Sequence, residues 1–156
     1  MPSTPAYEIA NPTGDPAVIL LCDHASNRVP PEVAHGDLGL PPADMARHIA
    51  YDVGARGLTL ELSRLMNAPA VLSTFSRLVI DPNRGEDDPT LVMRLYDGSV
   101  IPANRHAEAA DVAARIADWH RPYHAAIRAT IIAAQAKMAD AGTPTPRPAL
   151  MSIHSY

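Results

Sequence analysis

Three short apolar runs divide the chain, and each of them is followed at once by polar residues. The first covers residues 17–22, the second 70–80 and the third 149–153. Short unbroken runs of Val, Ile and Leu are typical of strands that are buried on both faces. We therefore predict three strands, the second of them interrupted at residues 76–77.

Helical periodicity fills the intervals between these strands. A helical segment is predicted from Asp44, a candidate N-cap, with a possible break at residues 52–54. Its apolar side chains recur at i, i+4, i+7 and i+8, and they are Leu58, Leu62, Leu65 and Met66. Residues 107–141 form a second predicted helical region, which Pro122 should kink or split. The order strand, helix, strand, helix, strand predicts an α/β fold with at least partly parallel strands.

The remaining segments are rich in proline and glycine. Residues 1–16 are predicted to form an arm laid over the domain, residues 27–44 a long loop beside a strand end, and residues 86–104 an irregular segment. A length of 156 residues fits a single domain, residues 1–156. Because three strands make a thin sheet and the chain stops just after a strand, we expect the natural domain to continue beyond Tyr156.

Composition narrows the classes of partner. The chain carries 17 acidic and 13 basic residues, a net charge of −4, and no broad basic face, so nucleic acid is not an expected partner. No apolar run approaches the roughly 20 residues that a membrane helix needs, and no signal peptide is visible. The only cysteine, Cys22, lies inside a predicted strand, so we expect it to be buried rather than nucleophilic. These features predict a soluble, cytoplasmic protein with no membrane partner.

A histidine follows two of the three predicted strands, His24 after the first and His154 after the third. If the strands are parallel, both imidazoles emerge at the same edge of the sheet. Two histidines and a carboxylate are a common catalytic metal set with one open position. Asp52 is the leading candidate for the carboxylate, and Asp23 is the alternative, although it should point away from its neighbour His24. The competing interpretation is that both histidines are simply hydrated strand ends.

Basic residues cluster at the end of the second strand. Residues 76–77 are Ser-Arg and residues 81–84 are Asp-Pro-Asn-Arg, which together could clamp a carboxylate and polarise a carbonyl. The residues alone favour a surface turn with ordinary ion pairs. His120 and His124 could share a helix face, but Pro122 lies between them, so the pair is weak evidence for a second metal. The other histidines are expected to be solvated: His35, His48 and His106.

These residues, taken in order, resemble the N-formylglutamate amidohydrolase family. The resemblance runs from about residue 17 to the end and rests on five motifs: His24-Ala25-Ser26-Asn27 with Pro30, Asp52-x-Gly54, Ser76-Arg77-Leu78-x-x-Asp81-x-Asn83-Arg84, Pro122-Tyr123-His124, and His154-Ser155. It implies a three-layer α/β/α fold around a mixed sheet, as in the zinc carboxypeptidase and aspartoacylase superfamily, with the C-terminal part of the domain missing here.

The resemblance also implies an activity and its ligands. The activity is hydrolysis of the N-acyl amide of an acidic amino acid, such as N-formylglutamate, in histidine degradation, so the partner is a small N-acyl amino acid. The implied cofactor is Zn²⁺, or another divalent metal, held by His24, Asp52 and His154. The acid is sought at Asp52 because the superfamily's His-x-x-Glu is His-x-x-Asn in this chain.

Further roles are implied for the basic residues. Asn83 and Arg84 match a pair that binds the substrate carboxylate, and Arg77 matches an arginine that stabilises the oxyanion. Asn27 and His124 are expected to contact the substrate.

The superfamily's general base is a glutamate on a strand after the last histidine ligand. We therefore expect the 156-residue chain by itself to be catalytically incomplete. The rival hypothesis is a non-catalytic protein that uses the same fold to bind carboxylate ligands.

Overall fold

A four-stranded mixed sheet forms the centre of the molecule in a computed structural model that describes residues 3–155. The strands are β1 (Tyr7–Ala10), β2 (Val18–Cys22), β3 (Ala70–Ser73), β4 (Leu95–Tyr96), β5 (Ser99–Val100) and β6 (Ala149–Ser152). The sheet has the order β1-β3-β2-β6, while β4 and β5 form a separate hairpin. Strand β2 lies parallel to both β3 and β6, and β1 is antiparallel to β3.

Helices cover both faces of this sheet. They are α1 (Pro42–Met45), α2 (Ala55–Leu65), α3 (Pro102–Arg105), α4 (Ala109–Arg115) and α5 (Arg121–Asp140), with a 3₁₀ turn at Ala34–Gly36 and a π-helical segment at Ile116–His120. Leu20, Cys22 and Ala55 pack together on the α2 side, and Val71 and Tyr123 belong to the cluster on the α5 side. The predicted α/β fold is therefore confirmed, with helix, sheet and helix as its three layers.

The N-terminal segment is more ordered than an arm. Residues Tyr7–Ala10 pair with Ala70–Ser73 as an edge strand, and Glu8 forms an ion pair with Arg56 of α2 at 2.8 Å. The prediction of an arm over residues 1–16 is wrong for this strand, because a four-residue run with one acidic position carries too weak an alternation to identify. Residues 1 and 2 lie outside the described part of the chain.

The first predicted helix is broken as expected, but its start is displaced. Asp44 lies inside the short helix α1 and makes no N-cap hydrogen bond. The main helix, α2, begins after Gly54, whose φ of 82° is a left-handed conformation that glycine adopts at little cost. Residues 46–54 between the two helices are irregular, and this stretch contains Asp52.

The predicted leucine stripe of α2 is not its buried face. Ala55, Thr59 and Ser63 are the buried residues of this helix, whereas Leu58 and Leu65 are 53% and 64% exposed. Small side chains bring the helix close to β2 and β3, which turns the larger residues to the flank.

The second predicted strand ends earlier than expected, at Ser73. Residues 74–80 stay largely buried but bond to loops instead of to a strand. Ser76 N–H donates to the Arg28 carbonyl at 2.8 Å, and Arg77 N–H donates to the Ala50 carbonyl at 3.2 Å. This irregular path delivers Arg77 and the following turn to the edge of the sheet.

The segment 86–104, predicted as irregular, contains the β4–β5 hairpin and α3. Asp97 and Gly98 at the tip have φ values of 46° and 75°, as a two-residue hairpin turn requires. The Asp-Gly pair was therefore a usable hairpin signal. Asn104 of α3 is buried and donates to the Leu78 and Met93 carbonyls at 2.7 and 2.8 Å.

The long helical region is not split at Pro122 but changes its hydrogen-bond pattern just before it. Helix α4 passes into the π-helical segment Ile116–His120, and α5 then begins with Pro122 in its first turn. The Arg121 N–H donates to the Ile116 carbonyl, an i−5 bond of the π-helical segment, so the helical path is continuous and the proline lies just after a π-bulge. None of the helices among residues 3–155 combines the length and apolar character needed to cross a bilayer.

Strand β6 lies at an open edge of the sheet. It pairs with β2, and its Leu150 and Met151 remain 51% and 42% exposed. The strand extends into Ile153, whose N–H donates to the Leu21 carbonyl at 2.8 Å. His154 follows directly.

Candidate metal and carboxylate site

Two parallel strands deliver the two candidate histidines to the same edge. His24 follows β2 and His154 follows β6, so both imidazoles emerge at the carboxyl ends of neighbouring strands. Asp52 is brought to them by the main chain, since its N–H donates to the His24 carbonyl at 3.0 Å. The stretch before α2 thus runs directly beside the end of β2.

His24, Asp52 and His154 converge in space. Each of them offers one ligand atom, and these atoms lie within 4.8 Å of one another. The carboxylate lies between the rings, with Oδ1 3.4 Å from His24 Nδ1 and Oδ2 2.8 Å from His154 Nδ1. The ring centroids are 5.2 Å apart. The structure therefore brings together the three residues that the sequence proposed as a set.

The outward nitrogens of both rings have polar partners. His24 Nε2 is 2.7 Å from Asp81 Oδ1. His154 Nε2 is 3.0 Å from the Ser152 hydroxyl and 3.4 Å from Asp23 Oδ2. These partners at Nε2 leave Nδ1 of each ring turned toward Asp52. His154 Nδ1 donates to the Asp52 carboxylate at 2.8 Å, and a bound metal ion would take the place of that proton. Both rings are therefore arranged to present Nδ1 to the centre of the cluster.

The cluster fits a divalent metal ion. His24 is 2% exposed, and its Nδ1 has no hydrogen-bond partner among residues 3–155. A buried polar atom without a partner is costly in a folded protein, and a coordinated ion would satisfy it. Two imidazoles and one carboxylate with outer hydrogen bonds are a donor set that suits zinc. The ligand assignment itself stays a prediction.

Asp81 is the member of the site that the sequence interpretation missed. Its sequence context, Asp-Pro-Asn-Arg, predicts a turn residue, yet Asp81 is 1% exposed and bonds to His24. Burial alone would raise its pKa, but the His24 hydrogen bond, the His24 and Arg77 charges and the Asn83 amide lower it to about 2. Its position directly after the buried run Leu78–Ile80 was the available signal for a buried carboxylate.

Asp23, the alternative ligand, lies on the outer side of the cluster. It follows β2 on the face toward α5, where it accepts a hydrogen bond from the Tyr123 hydroxyl at 2.7 Å and one from Ser152 at 3.2 Å. Burial and the Asp23 charge raise the pKa of Tyr123 well above its ordinary value, so this hydroxyl stays a donor. Asp23 is thus placed to orient His154 from behind.

Arg77 lies at the border of the cluster. Its Nη2 donates to Asp81 Oδ2 at 2.9 Å, its Nη1 is 3.8 Å from Asp52 Oδ1, and its guanidinium lies 5.1 Å from the centre of the Tyr96 ring. The carboxylates and the ring therefore fix a cation at the border of the histidine cluster. The oxyanion role stays a prediction.

Asn83 and Arg84, the predicted carboxylate-binding pair, line an open cavity of about 810 Å³. Arg84 Nε is 3.5 Å from Asp81 Oδ2, and its Nη1 donates to Asp88 at 3.2 Å. Asp81 also contacts His24, so one side chain, Asp81, links the cavity residue Arg84 to the histidine cluster.

His120 and His124 each form a hydrogen bond to a main-chain carbonyl of the turn that contains Asn83. His120 Nε2 donates to the Arg84 carbonyl at 2.9 Å, and His124 Nε2 donates to the Pro82 carbonyl at 3.0 Å. Burial and the neighbouring His120 lower the pKa of His124. The two rings, with centroids 4.4 Å apart, thus hold the turn that carries Asn83 and line the same cavity.

The other candidates lie away from the cluster. Asn27 is exposed, and its side-chain amide donates to the Met45 carbonyl at 2.9 Å. Cys22 is buried, and burial raises the pKa of its thiol to about 11, as expected for a structural residue. The remaining histidines are exposed, as predicted: His35, His48 and His106.

The site thus consists of a His–Asp–His cluster at the edge of an α/β sheet and a neighbouring cavity lined by basic side chains. The sequence from residue 16 to residue 156 matches the N-formylglutamate amidohydrolase family. The chain belongs to that family.

Two solved structures share the fold. A gene product of Agrobacterium tumefaciens is 29% identical, with a TM-score of 0.85 over 97% of this chain and 57% of its own. The N-formylglutamate amidohydrolase of Ralstonia eutropha JMP134 is 22% identical, with a TM-score of 0.59 over 87% of this chain and 54% of its own, a likeness of fold alone. The chain thus spans little more than half the length of either structure. No sequence among the curated proteins matches it.

Proposed function

We propose that this chain carries the metal-binding and carboxylate-binding part of an amidohydrolase that cleaves the N-formyl amide of an acidic amino acid such as N-formylglutamate. The observation that carries the proposal is the convergence of His24, Asp52 and His154 around a buried nitrogen without a partner, next to a cationic cavity. Family membership supports the same reaction class.

Each group of residues has its own role in the proposed reaction. His24, Asp52 and His154 would hold a divalent ion, which when bound supplies a lowered pKa for water and polarisation of an amide carbonyl. Arg77 would stabilise negative charge that develops on the carbonyl oxygen, and its contact with Asp52 at 3.8 Å supports this role. Asn83 and Arg84, in the adjoining cavity, would hold the free carboxylate of the substrate.

A second candidate function is carboxylate binding without turnover. Hydrolysis needs a proton carrier between the attacking water and the leaving amine, and each of the five glutamates bonds elsewhere. Glu8 pairs with Arg56, Glu61 with Arg64, and Glu86 with Arg121. Glu32 accepts from the Ser3 amide, and Glu108 belongs to the capping box of α4. We therefore expect hydrolysis by the 156-residue chain alone to be slow.

The test measures formate release from N-formylglutamate by the chain loaded with Zn²⁺. The matched variant is His24→Ala, and His106→Ala, an exposed histidine, is the control. The Ralstonia eutropha enzyme serves as the positive control for the assay. We expect slow release that stops in His24→Ala, together with loss of one bound zinc per chain by metal analysis and an unchanged circular dichroism spectrum.

Two other results separate the candidates. Binding of N-formylglutamate with no formate above the buffer rate would support the non-catalytic function. Release that is equal in His24→Ala and in the parent chain would contradict the metal-dependent mechanism.

A further inference from the structure

The cavity beside the histidine cluster has two walls of different origin. One wall is the turn of residues 82–86, and the other is a face of the helical stretch 117–128. Its volume of about 810 Å³ leaves space beyond the one carboxylate that Asn83 and Arg84 would hold. Both walls carry basic side chains, so the rest of the space is also suited to an anionic group.

The basic side chains differ in how far they are already neutralised. Arg121 makes two hydrogen bonds to Glu86, at 2.9 and 2.8 Å. Arg84 lies within 3.5 Å of Asp81 and within 3.2 Å of Asp88. Arg128 has no acidic partner within 4.0 Å among residues 3–155 and makes no hydrogen bond to them. Its guanidinium donors therefore remain available to a ligand.

The helix places Arg128 on the correct wall. Arg128 follows His124 by four residues on α5, and side chains at this spacing share a helix face. His124 is itself bonded to the carbonyl of Pro82, next to Asn83. Arg84 contacts Asp81 of the histidine cluster, whereas Arg128 lies one helical turn further along the opposite wall. The cavity thus offers two separate cationic positions.

We propose that Arg128 binds the side-chain carboxylate of the acidic amino acid whose α-carboxylate is held by Arg84. This assignment rests on the proposed function and names the residue that selects a dicarboxylate over a neutral N-formyl amino acid. An arginine suits the role because its planar guanidinium donates two parallel hydrogen bonds to a carboxylate. Arg121 is excluded from it by its pairing with Glu86.

The experiment compares two ligands that differ only in the second carboxylate, N-formylglutamate and N-formylglutamine. Their affinities for the 156-residue chain are measured by isothermal titration calorimetry at low salt, with Zn²⁺ and in EDTA. We expect the parent chain to prefer N-formylglutamate by about tenfold or more, since a hydrogen bond to a charged group contributes at that scale. Arg128→Gln should reduce the preference to within about twofold, and Arg128→Lys should restore part of it.

Arg121→Gln is the matched control. It removes an exposed arginine of the same helix and the same cavity, and it should leave the preference intact. Arg84→Gln should weaken both ligands equally, because both carry the α-carboxylate. Thermal melts of the Arg128 and Arg121 variants should coincide with that of the parent chain, since both side chains are exposed.

The outcomes separate this proposal from the proposed function. If the parent chain binds neither ligand, or if Arg128→Gln keeps the full preference, Arg128 is not the second carboxylate site. Formate release is followed in parallel with Zn²⁺. If the chain hydrolyses neither compound but its binding preference depends on Arg128, the proposed reaction fails and this assignment stands. If it hydrolyses them, Arg128→Gln should raise KM for N-formylglutamate and leave kcat unchanged.

Discussion

Asp81 joins His24 to the turn that carries Asn83 and Arg84. One of its oxygens lies 2.7 Å from His24 Nε2, and the same oxygen accepts the Asn83 main-chain N–H at 2.9 Å. The other oxygen accepts from Arg77 and lies 3.5 Å from Arg84. The orientation of the His24 ring and the position of Asn83 and Arg84 therefore both depend on the buried Asp81 carboxylate.

Replacing Asp81 should weaken metal binding without removing a ligand. Asp81→Ala takes away the acceptor that fixes the His24 tautomer, and we expect zinc affinity to fall by about 10–100-fold. Asp81→Asn keeps an acceptor oxygen but lacks the charge, so its loss should be smaller. Competition titration against a chromophoric chelator measures both, with the exposed Asp97→Asn as the control. If the two Asp81 variants bound zinc as tightly as the Asp97→Asn control, the role assigned to Asp81 would be contradicted.

Arg84→Lys should lower affinity for ligands with a free α-carboxylate. Lysine retains the charge but cannot reproduce the two parallel hydrogen bonds of a guanidinium. We expect KM for N-formylglutamate to rise by about tenfold, the scale of one lost charge-assisted hydrogen bond. The α-amide of the same compound should be affected little. A similar loss for both compounds would indicate that Arg84 acts only on the local structure.

Asn104→Ala should destabilise the fold without touching the site directly. The Asn104 amide satisfies the carbonyls of Leu78 and Met93, and its oxygen accepts from Arg115 at 2.7 Å. We expect a loss of at least about 3 kcal/mol in the free energy of unfolding, because each buried polar group left unpaired costs about 1–3 kcal/mol. Urea denaturation measures it. A loss below about 1 kcal/mol would mean that water or a rearranged neighbour satisfies these groups.

Acidification should weaken the fold through His124. Its folded-state pKa lies below the ordinary value of 6.5, so the unfolded chain binds more protons than the folded chain between the two pKa values. The stability that the neutral ring contributes is therefore complete above pH 6.5 and is lost as the pH falls toward the folded pKa. We expect His124→Gln to flatten the decrease of the unfolding free energy between pH 7 and pH 5, relative to His106→Gln. Parallel pH profiles for the two variants would disprove this linkage.

The grouping of the candidate metal residues followed from a simple rule. His24 and His154 follow parallel strands, and side chains at the carboxyl ends of neighbouring parallel strands meet at one edge. Asp52 was placed with them by the helix start that follows it. The contact of Asp81 with His24 could not be predicted, because it depends on an irregular buried path over residues 74–80.

The burial of α2 shows a different limit of sequence reasoning. Periodicity identifies a stripe such as Leu58 and Leu65, but it does not say which flank of the helix faces the sheet. The smaller residues Ala55, Thr59 and Ser63 occupy the contact because they permit a closer approach of helix and strands. Strand β1 was missed because its four residues, Tyr-Glu-Ile-Ala, show almost no alternation of apolar and polar side chains, and all four are half-buried in the structure.

The position of β6 ties ligand binding to local unfolding. Among residues 3–155 this strand has one hydrogen-bonded neighbour, β2, and it carries large exposed side chains, so it belongs to the part of this sheet that opens at low free-energy cost. His154 follows it, while His24 and Asp52 are anchored deep in the fold. An ion shared by the three residues would therefore connect the end of β6 to the core of the sheet, and the rate of amide exchange in β6 would fall with the fraction of sites left unoccupied.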